Sequence, residues 1–123
     1  MATTFGRIET LSTNEIARQP LRAEQCALVV IDIQQKLLPP IFNKEQLVRN
    51  TSLLVRLAKI LEIPILVTTQ YARGLGETVP EIAELANIAA IDKLEFSCFG
   101  KETFCSAVKA LPGSRTTMLL CGM

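Results

Sequence analysis

The sequence predicts an α/β protein of three layers, in which a mostly parallel sheet carries helices on both faces. Two observations lead to this prediction. Short apolar runs alternate with amphipathic segments along the chain, which is the order of parallel crossover units. The first run, LVVI at residues 28–31, is continuously apolar, as expected for a central strand that is covered on both faces. A length of 123 residues suits one domain with its own core.

The first strand and the helix after it follow from apolar spacing and from chain breakers. We expect a strand at 28–33, and Pro39 and Pro40 interrupt the chain after it. Asn43 followed by Gln46 resembles a helix N-cap box, which predicts a helix over 44–62. Apolar residues of this helix recur at intervals of 3, 4 and 7 and predict one stripe that packs on the sheet: Leu47, Leu54, Leu57, Ala58 and Leu61.

The remaining elements continue the alternation to the last residues. We predict strands at 63–69, 88–92 and 116–121, helices at 80–86 and 101–111, and a loop with two glycines at 70–78. In this interpretation residues 1–20 are an N-terminal extension and residues 21–123 are the domain. The chain stops directly after an apolar strand that has no helix behind it, so we expect C-terminal strands of the domain to be missing.

The composition argues against several classes of partner. The chain has 13 basic and 12 acidic side chains and is 49% hydrophobic, so it lacks both the basic surface of a nucleic-acid-binding protein and the composition of a disordered one. No apolar stretch approaches the roughly 18 residues that span a bilayer, and the N-terminus has no apolar signal core. We therefore expect no nucleic-acid or membrane partner and a cytoplasmic location.

The cysteines and the lack of histidine restrict the chemistry. Their spacing matches no zinc or CxxC pattern, and we expect reduced, mostly buried thiols at Cys26, Cys98, Cys105 and Cys121. With no histidine in the sequence, Ser-His-Asp and Cys-His catalysis are excluded within these residues. Any proton transfer must use a carboxylate, a lysine, a tyrosine or a thiol.

Asp32 and Lys93 are the first candidates for such chemistry. Each ends a predicted strand, and the carboxyl ends of parallel strands meet at one edge of a sheet, where active residues gather. Opposite charges within hydrogen-bonding reach stabilise each other when they are buried. One interpretation is therefore a charged catalytic pair with Asp32 as the base. The other makes Asp32 a cap of the following turn and Lys93 a solvated residue at a strand end.

Four segments resemble the isochorismatase-like cysteine hydrolases, a family that includes nicotinamidases and N-carbamoylsarcosine amidohydrolases. Residue type, order and spacing agree from about Leu21 to Met123, in the segments ALVVIDIQQKLLP, PILVTTQYARGLG, IDKLEFSCF and MLLCGM. The QYARGLG and LLCGM variants are most similar to small isochorismatase-domain hydrolases of unassigned substrate. The resemblance implies the Rossmann-like fold of that family.

The resemblance also implies an Asp-Lys-Cys triad, in which Asp32 and Lys93 match the first two members. The family's cysteine follows, by a few positions, the glycine that ends the fourth strand, whereas here Gly122 is followed only by Met123. We therefore expect the nucleophile beyond the end of this chain and interpret Cys121 as a strand residue. In the family the thiolate attacks an amide-type carbonyl, while members that act on isochorismate cleave a vinyl ether.

Three further residues are expected to contact a small-molecule substrate. Gln70 and Tyr71 leave the second strand toward the candidate site, although polar loop residues are also commonly just solvated. Phe96, with Phe99, either walls an apolar pocket or packs the turn. Nicotinamidases bind a metal through an aspartate and two histidines, and without histidine we expect no metal and no cofactor here.

Two functions stay open at this point. The first is a hydrolase completed by residues after Met123, and the second is a catalytically incomplete fragment or pseudoenzyme that serves as a scaffold or oligomerisation domain. By family habit we expect a homo-oligomer, a dimer or a tetramer.

Overall fold

A computed structural model describes residues 12, 14 and 19–123, so most of the predicted N-terminal extension lies outside the described residues. Within them, four parallel strands form one sheet in the order β3-β2-β1-β4. The strands are β1 (Cys26–Ile31), β2 (Ile65–Gln70), β3 (Ile91–Lys93) and β4 (Thr117–Gly122). The helices are α1 (Lys44–Ile60), α2 (Ala72–Leu75), α3 (Pro80–Ala86) and α4 (Glu102–Lys109). The predicted α/β fold is confirmed.

Helices cover both faces of the sheet, as predicted. The chain moves from β1 to β2 to β3 in one direction and then returns past β1 to β4, so right-handed crossovers put α1 and α3 on one face and α4 on the other. Buried residues of α1 and α3 form one cluster with alternate residues of β1 and β2. Phe104 of α4 is 1% exposed and lies outside that cluster. None of the described helices is long and apolar enough to cross a membrane.

Several predicted boundaries differ from the observed ones. The third strand is only three residues, Ile91–Lys93, because 88–90 do not pair with β2. The predicted loop at 70–78 contains the one-turn helix α2. Helix α1 begins at Lys44 as predicted, yet Asn43 makes no side-chain bond to the helix backbone, and its amide instead donates to the Gln46 side chain.

The predicted apolar stripe of α1 is wrong for most of its members. Leu54, Leu57 and Leu61 are 37%, 50% and 46% exposed, and Ala58 alone of the stripe is fully buried. The face that packs on the sheet is a second row with helical spacing, made of Val48, Thr51, Val55 and Ala58. This row consists of a threonine and small or β-branched residues, so it is less hydrophobic than the leucine row.

Gly122 allows β4 to pair closely with β1. Its φ of +135° is rarely adopted by residues with side chains, and a Cβ built there would lie 2.0 Å from the Ile31 carbonyl oxygen. Because that oxygen is backbone of a central strand, it has no room to shift. The next residue, Met123, donates its backbone N–H to the same oxygen at 3.0 Å.

We expect Gly122→Ala to reduce the free energy of unfolding by about 3 kcal/mol or more, since it combines overpacking with backbone strain. Urea denaturation followed by circular dichroism measures this. Gly113→Ala is the matched control, because Gly113 also has a positive φ, +72°, but a Cβ there would meet only the Arg115 Nε, at 4.0 Å. It should cost about 1 kcal/mol. Equal costs for the two variants would contradict the close approach of β4 to β1.

Candidate active site

Asp32 and Lys93 meet at the carboxyl edge of the sheet. The Lys93 Nζ donates to Asp32 Oδ2 at 2.8 Å, and the side chains are 1% and 12% exposed. The two residues follow β1 and end β3, which are separated by β2, so the lysine side chain passes over the end of β2. The predicted proximity of the two charges is confirmed, while the catalytic role of the pair stays a prediction.

The backbone of Asp32 explains how its carboxylate reaches Lys93. Side chains alternate between the faces of a strand, so a regular continuation of β1 would direct Asp32 to the face opposite Thr68 and Lys93. Asp32 instead has a φ of 53°, a left-handed conformation that aspartate tolerates better than most residues. Its Oδ1 accepts a hydrogen bond from the Thr68 hydroxyl at 2.8 Å. The regular backbone of β1 therefore ends just before Asp32, and the change of conformation there turns the carboxylate toward Thr68 and Lys93.

Gln70 contacts the lysine rather than open solvent. Its Oε1 accepts from Lys93 Nζ at 2.8 Å, and its Nε2 donates to the Leu94 carbonyl at 2.8 Å. Since an ammonium only donates and a carbonyl only accepts, these partners determine the orientation of the amide. Gln70 lies at the predicted edge, but both ends of its side chain are bound to protein; its predicted contact with substrate stays a prediction.

Gln34, a residue that the sequence analysis did not single out, joins the loop after β1 to β2. It is completely buried. Its Oε1 accepts from the Gln70 backbone N–H at 2.6 Å, and its Nε2 donates to the carbonyls of Gln70 and Gly76 at 2.9 and 2.7 Å. The only sequence signal is a polar residue two positions after Asp32, which does not distinguish a buried amide from a solvated one.

The predicted aromatic contacts lie farther out. Tyr71 is 46% exposed, has a φ of 41° and places its ring over Gly74. Phe96 is 98% exposed and so does not line a closed pocket within the described residues. Phe99 packs edge-on against Phe104, with ring centroids 5.3 Å apart. For Phe99 the structure therefore favours the packing interpretation.

None of the four described cysteines hydrogen-bonds to the ion pair. Cys121 directs its Sγ to the Val29 carbonyl at 3.8 Å, and Cys105 directs its Sγ to the Phe99 carbonyl at 3.3 Å. Burial raises the pKa of the Cys121 thiol, and the neighbouring Thr51 hydroxyl opposes this only in part. Cys26 is buried at the start of β1, at the opposite edge of the sheet. The interpretation of Cys121 as a strand residue is confirmed.

We expect iodoacetamide to alkylate Cys121 more slowly than the half-buried Cys98 at neutral pH, because a raised pKa leaves less of the reactive thiolate. Alkylation of Cys121 should accelerate as the solution becomes alkaline. Peptide mapping by mass spectrometry after timed labelling measures both rates. Faster labelling at Cys121 than at Cys98 would contradict the raised pKa.

Comparison with known proteins identifies the family of this chain. The pattern that defines the isochorismatase domain matches residues 26–123. The chain belongs to the isochorismatase domain family. Isochorismatase domain-containing protein 2 of Danio rerio is 34% identical over 103 residues, which are 84% of this chain and 51% of that protein. The secreted isochorismatase effector Isc1 of Phytophthora sojae is 33% identical over 100 residues, 78% of this chain and 47% of that protein.

Solved structures give the same isochorismatase-like fold. The MAR1 ribonuclease from Caenorhabditis elegans superposes with a TM-score of 0.74 and 30% identity, covering 85% of this chain and 53% of that one. YcaC from Escherichia coli, described as an octameric hydrolase of unknown specificity, superposes with a TM-score of 0.72 and 27% identity, covering 84% and 52%. The isochorismatase-family chain thus spans about half the length of the relatives that it matches.

Proposed function

We propose that this chain supplies the aspartate and the lysine of an Asp-Lys-Cys hydrolase site that acts on a small amide-type or vinyl-ether substrate. The observation that carries the proposal is the buried contact of Lys93 Nζ with Asp32 Oδ2 at 2.8 Å. A buried ion pair contributes little net stability compared with apolar residues of the same volume. A chemical use therefore accounts better for its position at the carboxyl edge of the sheet.

The thiol of the proposed site comes from residues after Met123. The backbone of Met123 bonds to the Ile31 carbonyl, one residue before Asp32, so chain that continues from there starts at the edge that holds the ion pair. This position supports a nucleophile delivered from the end of β4. A helix beginning there would favour the thiolate through its N-terminal dipole.

For an amide-type substrate, each group has a defined part. Asp32 accepts the thiol proton, and the thiolate sulfur attacks the carbonyl carbon and forms a tetrahedral intermediate. The amine leaves with a proton, and water then hydrolyses the thioester. Lys93 keeps its positive charge beside Asp32 throughout. A vinyl-ether substrate would be cleaved without the acyl intermediate, and the same ion pair would serve as the proton-transfer group. We propose no metal or cofactor for either reaction.

The alternative is a non-catalytic scaffold or oligomerisation domain. It is favoured by one observation: none of the four cysteines in the described residues bonds to Asp32 or Lys93. In this alternative the ion pair is a structural remnant of a hydrolase site.

To test the proposal, the complete coding frame is expressed past Met123. The product is assayed with small amides, by release of ammonia, and with vinyl ethers, by formation of the carbonyl product. We expect a cysteine a few positions after Gly122, turnover of one substrate class, and loss of turnover after iodoacetamide that substrate protects against. A frame that stops at Met123, or turnover that survives complete thiol alkylation, would contradict the cysteine-type hydrolase. The 123-residue chain by itself should be inactive.

The remaining expectations about partners stay predictions. The octameric assembly of YcaC supports a homo-oligomer, which light scattering of the purified protein would measure. The MAR1 relative is named a ribonuclease, yet the nearly balanced charge and lack of histidine in this chain give no support for RNA as a substrate. We keep the cytoplasmic location as a prediction, although the Phytophthora relative is named a secreted effector.

A further inference from the structure

We propose that Gln70 is a positioning residue that holds the Lys93 ammonium in place whether or not Asp32 carries its negative charge, and that Gln34 fixes Gln70 for this purpose. The catalytic meaning of the proposal rests on the proposed function above. The hydrogen-bond geometry behind it does not, and it can be tested in the 123-residue chain.

The first step is the closed ring of contacts around the ion pair. Asp32 bonds to Lys93, Lys93 bonds to Gln70, and the Gln70 backbone bonds to Gln34. Gln34 lies two residues after Asp32, so the chain itself closes the ring. Each link is 2.6–2.8 Å long. Movement of one member therefore strains the others.

The second step is the way in which Gln34 holds Gln70. The Gln34 amide accepts from the Gln70 N–H and donates to the Gln70 carbonyl, so it pairs with both backbone groups of one residue, as a neighbouring strand would. Gln34 is completely buried and Gln70 is half-buried, so unpaired backbone groups between them would be costly. Gln34 thereby extends the sheet at the point where β1 has already ended.

The third step concerns charge during proton transfer. While Asp32 is ionised, Lys93 has a negative partner, and Gln70 is a second acceptor. Once Asp32 has taken the thiol proton, the negative charge lies on the sulfur, and the ammonium no longer has a charged partner in direct contact. The side-chain oxygen of Gln70, Oε1, then provides a larger share of the hydrogen bonding that stabilises the ammonium. The amide is neutral, so its strength as an acceptor does not depend on the protonation of Asp32.

The fourth step is a comparison with the other polar group of β2 at this edge. Thr68 donates its hydroxyl proton to Asp32, so it stabilises the carboxylate. Gln70 accepts from Lys93 and so stabilises the cation. Strand β2 thus supplies Thr68 for the carboxylate and Gln70 for the ammonium. Of these two, Gln70 is the one that contacts the ammonium, which keeps its charge when Asp32 is protonated.

The test measures hydrogen exchange of the Lys93 ammonium by proton–nitrogen NMR of the labelled 123-residue chain, with the signal assigned through its loss in Lys93→Met. We expect Gln70→Met, similar in size but without a strong acceptor, to accelerate exchange about tenfold. Gln70→Glu keeps an acceptor oxygen for Lys93 but loses the donor to the Leu94 carbonyl, so its exchange should be clearly slower than that of Gln70→Met. Gln46→Met is the control, because the Gln46 side chain is exposed on α1 and accepts a hydrogen bond from Asn43, far from the ion pair in sequence.

A double-mutant cycle then tests the role during proton transfer. Asp32→Asn mimics the uncharged, protonated aspartate, and in that background Gln70→Met should accelerate exchange more than it does in the wild type. Equal effects in both backgrounds, or equal rates for Gln70→Met and Gln70→Glu, would overturn the proposal. If Gln70→Met does not fold, Gln70→Asn replaces it, since this amide is one methylene shorter and should lose the contact with Lys93. None of these outcomes depends on enzymatic turnover, so they are distinguishable from failure of the proposed hydrolase.

Discussion

Asp32→Asn is expected to reduce turnover by the complete coding product about 10²- to 10⁴-fold, the range typical for loss of a general base. Asparagine has nearly the same shape, and its one oxygen can still accept from Lys93 in place of Asp32 Oδ2. Its NH2 group can donate to the Thr68 hydroxyl, which donates to Asp32 Oδ1 in the native protein. Asparagine cannot take the thiol proton. Steady-state kinetics on the active substrate class measure the effect, and circular dichroism checks that the variant is folded. The loss should fall on kcat rather than on KM, because the substrate contacts remain.

Asp92→Asn is the matched control for this experiment. Asp92 belongs to β3 at the same edge of the sheet, yet it accepts from the Thr69 hydroxyl and the Ala72 backbone N–H rather than from Lys93. An asparagine oxygen can make both contacts, so turnover should remain near the wild-type value. Retained activity in Asp32→Asn would return Asp32 to the capping role, and an equal loss in Asp92→Asn would indicate a general disturbance of the edge.

Lys93→Met is expected to reduce the free energy of unfolding by about 3–5 kcal/mol, because it leaves the Asp32 carboxylate buried without a cation. Methionine fills most of the lysine volume, so the loss arises from charge and hydrogen bonding rather than from a cavity. For a chain of this size the melting temperature should fall by roughly 10–20 °C. Thermal and urea denaturation of the 123-residue chain measure the effect.

A second substitution separates charge from packing in this prediction. Asp32→Asn combined with Lys93→Met removes both charges, so the double variant should be more stable than Lys93→Met alone. Lys101→Met, at a partly exposed lysine on the same edge, should change stability by less than about 0.5 kcal/mol. A double variant that is less stable than Lys93→Met would mean that the carboxylate is not destabilising when it is unpaired.

The fold and the charged pair were predictable because both depend on strong local signals. Continuous apolar runs mark the parallel strands, and Asp32 and Lys93 directly follow or end such runs. Parallel pairing then brings the ends of the strands to one edge without further information. The short third strand was less predictable, since its apolar run extends upstream of the three residues that pair with β2.

The buried face of α1 and the role of Gln34 could not be predicted for physical reasons. Two rows of α1 have helical spacing, and the row with Thr51 and Ala58 is buried although the leucines are more hydrophobic. Helical spacing alone does not distinguish the two rows, because both satisfy it. Gln34 becomes a structural residue only through the Gln70 backbone, which comes from a strand 36 positions later in the chain.

The placement of the ion pair across β2 also governs how the edge of the sheet opens. Strands in a sheet lie about 4.8 Å apart, so Lys93 and Asp32 are attached to backbones separated by roughly twice that distance. Only three residues of β3 pair with β2, and detaching them exposes the ammonium and frees the carboxylate in a single event. The local unfolding equilibrium of this outer strand is thereby tied to the charge of Asp32: a ligand that neutralised Asp32 would leave the bond from Lys93 to Gln70 as the side-chain contact that resists detachment of β3.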